Sequence, residues 1–488
     1  MPGSSFTQLG RLRSVQLFKR YLAERSIDLP CDEDLIKGDA SPLAQCLRND
    51  EFQIENRIAI QPMEGWDGTL DGRPTEATFR RWARFGASGA KLIWGGEAVA
   101  VRHDGRANPN QLCINTHSKE DLSKLRQTLI AAHQRACDST KQPLIGLQLT
   151  HSGRYSRPNL QRRAEPLIVY HHPILDRRVG LDSDSRLLTD DEIKLIIEAY
   201  CKGAVIARDA GFDFVDLKHC HGYLGHEFLS AHTREGLYGG PFENRTRFLR
   251  EIVSGIRAAT PELKIAVRLS AFDTVPFTTR LQDATNRPGI GEPESFVKLL
   301  PYRWGFGVDQ NNPLEADLTE PFQFLSLLLT LKIKLVNISA GSPYYNFHIQ
   351  RPAFYPPLDG YLPPEEPLLS VLRQIKVTRK IKECFPEMII VGSGYSYLQD
   401  FLPYVAQAVV RNRWADCIGL GRMALTYPTL LLDVINGKGM DRKKICRTFS
   451  DCTTAPRNGL RSGCYPLDDY YKESDDATLL KRLKSGSH

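Results

Sequence analysis

The stretch GFDFVDLKHCHGYLGHEFLSAHTREGLYGGPFENRTRFLREIV, residues 211–253, decides how this chain folds. An apolar strand is predicted at 212–217, and it runs directly into a polar cluster at 218–223. A glycine-rich turn follows, and a helix is predicted to begin at about Phe242. Because ligands of α/β folds bind where strands end, the sequence predicts a functional site at this polar cluster.

The same pattern repeats on both sides of this stretch. Short apolar runs rich in β-branched residues alternate with segments of helical periodicity, at 57–63, 91–96, 143–149, 212–217, 264–270, 334–340, 388–394 and 416–422. Short apolar runs flanked by helices are typical of parallel strands buried on both faces. Eight such units predict an α/β fold, a (β/α)8 TIM barrel. The alternative is an open doubly wound sheet, but no GxGxxG follows the first run.

The barrel is predicted to occupy the central part of the chain. We expect an N-terminal extension at 1–50, the barrel at 51–440 and a cysteine-containing C-terminal tail at 441–488. Two long loops, 274–318 and 341–367, follow the fifth and sixth strands. In a barrel both would lie on the C-terminal face, where active sites are built. The second loop is rich in Tyr, Phe and Pro and could supply an aromatic wall over a flat ligand.

Composition excludes several classes of protein. A hydrophobic content of 41% and a charged content of 25% are ordinary for a globular domain. The net charge of +7 is spread without a long basic tract, so we predict no nucleic-acid partner. No run approaches the roughly 18 apolar residues of a membrane span, and the N-terminus lacks a signal-peptide core. We therefore expect a cytoplasmic protein without a membrane partner, in which the scattered cysteines are reduced thiols.

Several predicted strands end in groups able to bind a ligand. These are Gln148, His151 and Arg154 on the third strand, Arg268 on the fifth, and the glycines of 392–394 and 419–422 on the last two. Loops after strands seven and eight of a barrel often form a phosphate site, where Arg422 could add a charge-assisted bond. Each signal alone also fits a tight turn, a capped turn or a structural ion pair. Their shared place at the strand ends favours a ligand site.

Four motifs resemble those of the old yellow enzyme family of flavin oxidoreductases. HGYLGHEFLSAHTREGLYGGPFENRTRF (221–248) is similar to the family's HGYL…FLS…T…YGGSFENRxRF. QLTHSGR (148–154), QPM (61–63) and ADCIGLGR (415–422) resemble QLxHxGR, APM and ADxVGxGR. The resemblance runs in order over about residues 50 to 435. It implies a (β/α)8 barrel that holds FMN and reduces activated C=C bonds with NADH or NADPH, in the long-chain branch that includes 2,4-dienoyl-CoA reductase.

The resemblance also implies a cofactor site and a catalytic set. The implied cofactor residues are Pro62 and Met63 beside the flavin, Gln148 at its pyrimidine edge, Arg268 near N1 and C2=O, and Ser393, Gly394, Gly421 and Arg422 at the phosphate. Tyr223 matches the family's proton donor, and Lys218 and His221 match the pair that holds the substrate carbonyl.

Two positions depart from the family pattern. Lys218 stands where the family has histidine, which makes the pair Lys-x-x-His. Its ammonium could polarise a carbonyl or bind a substrate carboxylate, or it could pair with a neighbouring acid and leave His221 as the sole donor. Glu64 stands where the family commonly has a small residue. A carboxylate there either disfavours the anionic reduced flavin or points away from it.

The third departure concerns metal binding. Long-chain relatives carry a cysteine cluster after the barrel that holds four irons, and such clusters are normally bound by four thiolates. Here only Cys446, Cys452 and Cys464 occupy that region, and Phe449 stands where a second ligand is expected. We predict no metal site and no iron–sulfur cluster, and we expect 446–471 to be a packed structural segment. A cluster with an unusual ligand or a zinc site is the alternative.

The function implied by the resemblance is NAD(P)H-driven reduction of an activated C=C bond in a small-molecule substrate of the enoate or enone type. FMN would be the cofactor and Tyr223 the proton donor. Two alternatives stay open. One is an FMN-dependent dehydrogenase or demethylase that oxidises an amine or a methoxy compound, and the other is a barrel that uses no flavin.

Overall fold

The computed structural model describes residues 6–137, 141–160, 163–279 and 289–485. The chain begins with the helix Val15–Glu24, which starts where the Ser14 side chain accepts a hydrogen bond from the Leu17 amide. A short antiparallel hairpin, Leu47–Arg48 paired with Gln53–Ile54, then leads into the barrel.

The barrel consists of parallel strands that follow one another around a closed sheet. They are β1 Ile58–Ile60, β2 Leu92–Ile93, β3 Leu144–Thr150, β4 Phe214–His219, β5 Lys264–Ser270, β6 Leu335–Ser339, β7 Ile389–Gly392 and β8 Cys417–Leu420. Each strand pairs with the next, and β8 pairs with β1. The prediction of a (β/α)8 TIM barrel is therefore confirmed.

Each strand is followed by a helix on the outside of the barrel. The helices are α1 Glu76–Gly86, α2 Ser118–Cys137, α3 Asp190–Asp209, α4 Arg247–Ala259, α5 Thr319–Thr330, α6 Pro367–Cys384, α7 Leu402–Arg411 and α8 Leu430–Ile435. Short helices lie within the connecting loops, at Leu175–Arg178, Leu224–Leu229, Phe242–Arg245, Phe347–Gln350 and Arg422–Thr426. No described helix combines the length and apolarity that a membrane crossing needs.

One end of the barrel is filled by the N-terminal hairpin. Phe52 and Ile54 are buried in the same apolar cluster as side chains from the starts of the strands, among them Leu92, Phe214 and Ile389. These hairpin residues therefore seal the amino end of the barrel. Ligands have access to the interior at the carboxyl end.

The second strand is shorter than the sequence pattern indicates. The run 91–96 reads as one strand, but β2 covers only Leu92–Ile93, and the chain resumes as the separate strand Ala98–Ala100 beside β3. Gly96 has a φ of +44°, and a Cβ there would lie 2.8 Å from the Trp82 ring. A left-handed turn that glycine alone accommodates ends β2 early.

Both long loops lie on the carboxyl side of the barrel. In the first, Phe277–Thr279 pairs with Gly291–Pro293, while residues 280–288 lie outside the described residues. The second loop carries the helix Phe347–Gln350. A bridge between Ile290 and Leu362 connects the two loops.

Three helices follow the barrel: Asp451–Arg457, Asp469–Lys472 and Asp475–Ser485. The guanidinium of Arg80 on α1 makes an ion pair with Asp468, with 2.7 Å between the two groups. This pair fixes the C-terminal segment against the first helix of the barrel.

Candidate functional site

A cavity of about 250 Å³ opens at the carboxyl ends of the strands. All the residues that the family resemblance implies for the cofactor and the catalytic set line it: Pro62, Met63, Gln148, Lys218, His221, Tyr223, Arg268, Ser393, Gly394, Gly421 and Arg422. The structure thus brings together residues that lie up to 360 positions apart in the chain. The individual roles of these residues stay predictions.

A buried carboxylate organises the floor of the cavity. Asp216 on β4 accepts hydrogen bonds from Gln148 Nε2 at 2.5 Å and from Trp94 Nε1 at 2.7 Å. Its other oxygen accepts the backbone N–H of Arg268 at 2.7 Å. Burial raises the pKa of Asp216 to about 6. Asp216 therefore fixes both Gln148 and Arg268, and its one sequence signal is a single acid inside the apolar run FDFVDL.

Arg268 presents a buried cation to this floor. Its side chain is 6% exposed, and burial lowers the pKa of the guanidinium. Nη1 lies 3.5 Å from the Pro62 carbonyl oxygen, and Nε has no hydrogen-bond partner among the residues described. A buried donor of this kind fits a ligand that brings an acceptor or a developing negative charge.

The loops after β7 and β8 form the opposite end of the cavity. Gly394 has a φ of +93°, and a Cβ placed on Gly421 would meet only open space. Arg422 is 8% exposed and donates from Nη2 to the Pro352 carbonyl at 2.7 Å. Its Nη1 is buried without a partner within the described part of the chain. Ser393, the glycines and this free donor together fit an anion such as a phosphate.

Gln61 supports this end and was missed from the sequence. Its Nε2 donates to the Ser393 hydroxyl at 3.0 Å and to the Gly392 carbonyl at 3.2 Å, and its Oε1 accepts from Asn337 at 2.6 Å. A Cβ on Gly419 would lie 1.8 Å from the Gln61 amide nitrogen, so glycine is required there. Gln61 stands where the family's APM motif has alanine, and this difference was its one sequence signal.

Lys218 lines the cavity and also pairs with an acid. Its ammonium donates to Glu64 Oε1, and the same nitrogen lies 3.6 Å from the centre of the Tyr223 ring. Glu64 Oε2 accepts the Tyr223 hydroxyl at 2.9 Å and the Trp66 indole N–H at 3.2 Å. Of the placements left open by the sequence, Lys218 therefore adopts a salt bridge within the cavity, and Glu64 lines the cavity.

His221 lies beside Lys218 in an unusual backbone conformation. Its φ is +67°, and its Nε2 lies 2.8 Å from the Ser339 hydroxyl and 3.3 Å from Gln350 Nε2. Burial, followed by the charges of Arg268 and Lys218, holds the pKa of His221 well below its usual value. The imidazole is therefore neutral near neutral pH. Ser339 and Gln350 were not predicted.

The 341–367 loop contributes aromatic side chains to the cavity wall. Tyr344 Oη lies 2.8 Å from Tyr223 Oη, and the Tyr344 ring stacks on Tyr155 with 3.9 Å between centroids. The guanidinium carbon of Arg457 lies 5.6 Å from the centroid of the Tyr344 ring. Tyr344 thus connects the predicted proton donor with a cation from the C-terminal segment.

The C-terminal segment is part of the site, although the sequence suggested a packed structural tail. Cys452, Thr453, Arg457 and Gly463 all line the cavity. Arg351, from the 341–367 loop, donates to the Thr453 hydroxyl. Burial, with Arg422 close by, lowers the pKa of Arg351 to about 9.

The three cysteines of this segment are free thiols. Cys446 and Cys464 are buried, and Cys452 is half-buried. Within 6–137, 141–160, 163–279 and 289–485, no group of three or more His, Cys, Asp or Glu side chains is arranged to hold a metal ion.

Two of the candidates on the third strand support the structure outside the cavity. His151 is fully buried, and its Nδ1 accepts the Gly153 amide at 3.1 Å. Arg154 Nη2 donates to Glu227 at 2.5 Å, and Arg154 also pairs with Asp176. These side chains brace the loops after β3 and β4.

Comparison with known proteins agrees with this fold. The chain is 30% identical to the flavin oxidoreductase hxnT of Emericella nidulans over 48% of its own length and 60% of that protein. It is 29% identical to an NADPH dehydrogenase of Clostridium acetobutylicum over 78% of its length and 90% of that protein. The solved old yellow enzyme homologue from Zymomonas mobilis has the same fold, with a TM-score of 0.55 at 23% identity over 82% of this chain and 94% of that one.

A family model covers half of the chain, including the first five strands of the barrel. Residues 45–288 match the model of the NADH:flavin oxidoreductase / NADH oxidase family. The alignment with hxnT spans less than two thirds of that relative. The match confirms the resemblance carried by the sequence motifs, and this chain belongs to the NADH:flavin oxidoreductase / NADH oxidase family.

Proposed function

We propose that the protein is an FMN-dependent oxidoreductase that uses NADH or NADPH to reduce a C=C bond activated by a neighbouring carbonyl. One observation carries this proposal. A single cavity holds an anion-binding end at Gly421 and Arg422, a cationic floor at Arg268, and a buried phenol at Tyr223. Family membership and the NADPH dehydrogenase of Clostridium acetobutylicum support a nicotinamide-linked flavin enzyme.

The donors in the cavity fit a flavin mononucleotide. Arg422 Nη1 and Arg268 Nε are buried donors that lack partners within the described ranges. Arg422, with Ser393, Gly394 and Gly421, would hold the phosphate, while Gln148 and Arg268 would hold the pyrimidine edge of the ring, beside Pro62 and Met63. When bound, the flavin supplies the hydride chemistry.

The chain's own residues orient the substrate and move a proton. His221 holds the activating oxygen, and the Lys218 ammonium, paired with Glu64, adds a positive charge that stabilises the negative charge developing there. Burial, followed by the charge of Glu64, holds the pKa of Tyr223 well above its usual value, so the phenol keeps its proton at neutral pH. Tyr223 Oη then gives this proton to the carbon next to the carbonyl.

The charges in the cavity favour a carbonyl substrate over an amine. Besides Arg268 and Arg422, which would meet the flavin and its phosphate, Arg351 and Arg457 line the cavity. Glu64 is the one carboxylate among the described lining residues, and it is already paired with Lys218. Such a site stabilises an oxyanion and repels an ammonium group, which supports reduction rather than amine oxidation.

The absorbance spectrum of the purified protein is the first test. A flavin band, with FMN identified after its release from the protein, is expected. Under anaerobic conditions NADPH or NADH should bleach this band, and an α,β-unsaturated ketone should restore it. A protein that stays colourless after incubation with FMN would overturn the proposal. So would a flavin that is bleached by amines but not by either nicotinamide.

A further inference from the structure

The loop after β1 holds its backbone in a strained conformation. Trp66 has a φ of +47°, which side-chain-bearing residues rarely adopt. At the preceding position, a Cβ on Gly65 would lie 1.9 Å from Arg81 Nη2, so only glycine fits. Strain of this kind persists only where the surrounding structure imposes it, and it is concentrated at functional sites.

A buried charge network imposes the conformation of this loop. Arg81 pairs with Asp67 and donates from Nη2 to Glu97 at 2.5 Å. The other oxygen of Glu97 accepts the Gly65 amide at 2.5 Å. Arg81 and Glu97 are almost completely buried, and so is the Asp67 side chain. The network therefore fixes the backbone from which the Glu64 side chain enters the cavity.

Glu64 connects the two groups that the proposed reaction uses. One of its oxygens accepts the Lys218 ammonium, and the other accepts the Tyr223 hydroxyl at 2.9 Å. The Trp66 N–H holds the second oxygen in place at 3.2 Å. The Glu64 side chain is 11% exposed, so these bonds form largely away from solvent.

We propose that Glu64 is a positioning residue that holds Lys218 and Tyr223 as one unit and directs the delivery of the Tyr223 proton. This inference rests on the proposed function. During reduction the Tyr223 O–H turns from Glu64 to the substrate and breaks, the electron pair of the substrate enolate forms a C–H bond with the proton, and a phenolate is left. Lys218, held by Glu64 at 3.6 Å from the ring, balances that negative charge until solvent returns a proton to the phenolate.

A first test measures whether Glu64 holds Lys218, without any need for turnover. The purified protein is treated with an amine-acylating reagent, and labelling of Lys218 is followed by peptide mass spectrometry against the exposed Lys380 of the same molecule. Glu64→Gln removes the ion pair, so Lys218 should be labelled several-fold faster. Glu64→Asp keeps the charge on a shorter side chain, so its rate of Lys218 labelling should fall between those of Glu64→Gln and wild type.

The exposed Glu387→Gln serves as the control, and its Lys218 should be labelled as fast as in wild type. Unchanged labelling of Lys218 in Glu64→Gln would overturn the inference.

A second test measures the delivery of the Tyr223 proton through the pH dependence of kcat. The titratable groups against the phenol are Glu64, Lys218 and Tyr344. Because Glu64 raises the pKa of Tyr223, Glu64→Gln should move the alkaline limb of kcat to lower pH and lower kcat about 10- to 100-fold, with a smaller change in KM. Glu64→Asp should recover part of the loss.

The two proposals fail in different ways. A wild-type protein that binds flavin but reduces no activated alkene would refute the proposed function and with it the role of Glu64 in proton delivery. Alkene reduction by wild type, with an unchanged kcat and alkaline limb in Glu64→Gln, would overturn the inference alone. Normal labelling of Lys380 and a cooperative thermal unfolding transition show that the variants are folded.

Discussion

Tyr223 lies between an anion and a cation that act on its proton in opposite ways. Glu64 accepts the hydrogen bond of the phenol and favours its protonated form, while the Lys218 ammonium lies over the ring and favours the phenolate. Burial is the larger cause and the charge of Glu64 adds to it, and together they keep the pKa of Tyr223 well above its usual value. A donor in this setting holds its proton until the substrate develops a strong base beside it.

Replacing the phenol tests this role directly. Tyr223→Phe should slow the reduction of an activated alkene by about 10²- to 10⁴-fold, because the proton donor is lost. The reduction of the flavin by NADPH, measured separately by anaerobic stopped flow, should be nearly unchanged. Tyr344→Phe removes only one hydrogen-bond partner of Tyr223 and should cost far less. Equal losses in both half-reactions of Tyr223→Phe would argue against a proton donor.

Arg422 offers a second test, at the opposite end of the cavity. Arg422→Gln removes the charge that would meet the cofactor phosphate and should raise the Kd of FMN by about 10- to 100-fold, as expected for a hydrogen bond to a charged group. Riboflavin, which has no phosphate, should bind the variant and the wild type alike. The quenching of flavin fluorescence on titration into apoprotein measures both. A similar loss of affinity for riboflavin would show that Arg422 does not act through the phosphate.

Motifs identified part of the site, because those residues stand at strand ends in a recognisable order. Gln148 and Tyr223 belong to this group. The partners could not be predicted in the same way. Glu64 and Lys218 are 154 positions apart, and only the closed barrel brings them into contact. Gln350 lies in a long loop whose path is set by packing rather than by local pattern.

At the scale of elements, the strands followed the hydrophobic pattern and the loops did not. The eight apolar runs correspond to the eight strands because parallel strands buried on both faces need continuous apolar side chains. The early end of β2 depends on one glycine and its contact with Trp82, which no periodicity reveals. The path of the loop after β1 depends on a buried ion network formed by side chains from α1 and beyond.

The ion network under this loop should be costly to disrupt. Arg81→Gln leaves Asp67 and Glu97 buried without their cation and should lower the free energy of unfolding by about 3–5 kcal/mol. Burial already raises the pKa of Glu97 to about 7, and Arg81 opposes this rise. Without Arg81 the buried Glu97 favours its neutral form further. The unfolded state ionises at lower pH, so the destabilisation should be larger at pH 8 than at pH 5.

Chemical denaturation at the two pH values measures this effect. Lys194→Gln is the control, because it removes an exposed pair with Asp191 and should change the free energy of unfolding by less than about 1 kcal/mol. A loss for Arg81→Gln no larger than that of the control would mean that the network does not hold the loop.

At the scale of the whole molecule, the cavity draws on much more of the chain than the family match covers. The match ends at residue 288, yet the glycines after β7 and β8, Tyr344 and the C-terminal segment all line the cavity. The tail is expected from the sequence to be structural because it has three cysteines where an iron–sulfur cluster normally needs four. Its position over the barrel follows from tertiary contacts such as the pair between Arg80 and Asp468.

The contribution of the C-terminal segment can be tested through substrate charge. Arg457 lines the cavity, and its carboxylate partner Asp359 is largely exposed, so the guanidinium can also serve an anionic substrate. Arg457→Gln should lower kcat/KM for an α,β-unsaturated acid by about 3- to 10-fold while leaving its methyl ester almost unaffected. Arg461→Gln, which pairs with Asp476 and does not line the cavity, is the matched control. Equal effects on acid and ester would contradict a charge-specific contact.

The hairpin at the start of the barrel determines the end from which a ligand can reach the site. Phe52 and Ile54 fill the amino end of the barrel, so the cavity is closed at that end and opens at the carboxyl end. A ligand therefore enters and leaves the cavity at the carboxyl end. Two side chains at the opposite end of the barrel thus determine the side from which a ligand can exchange.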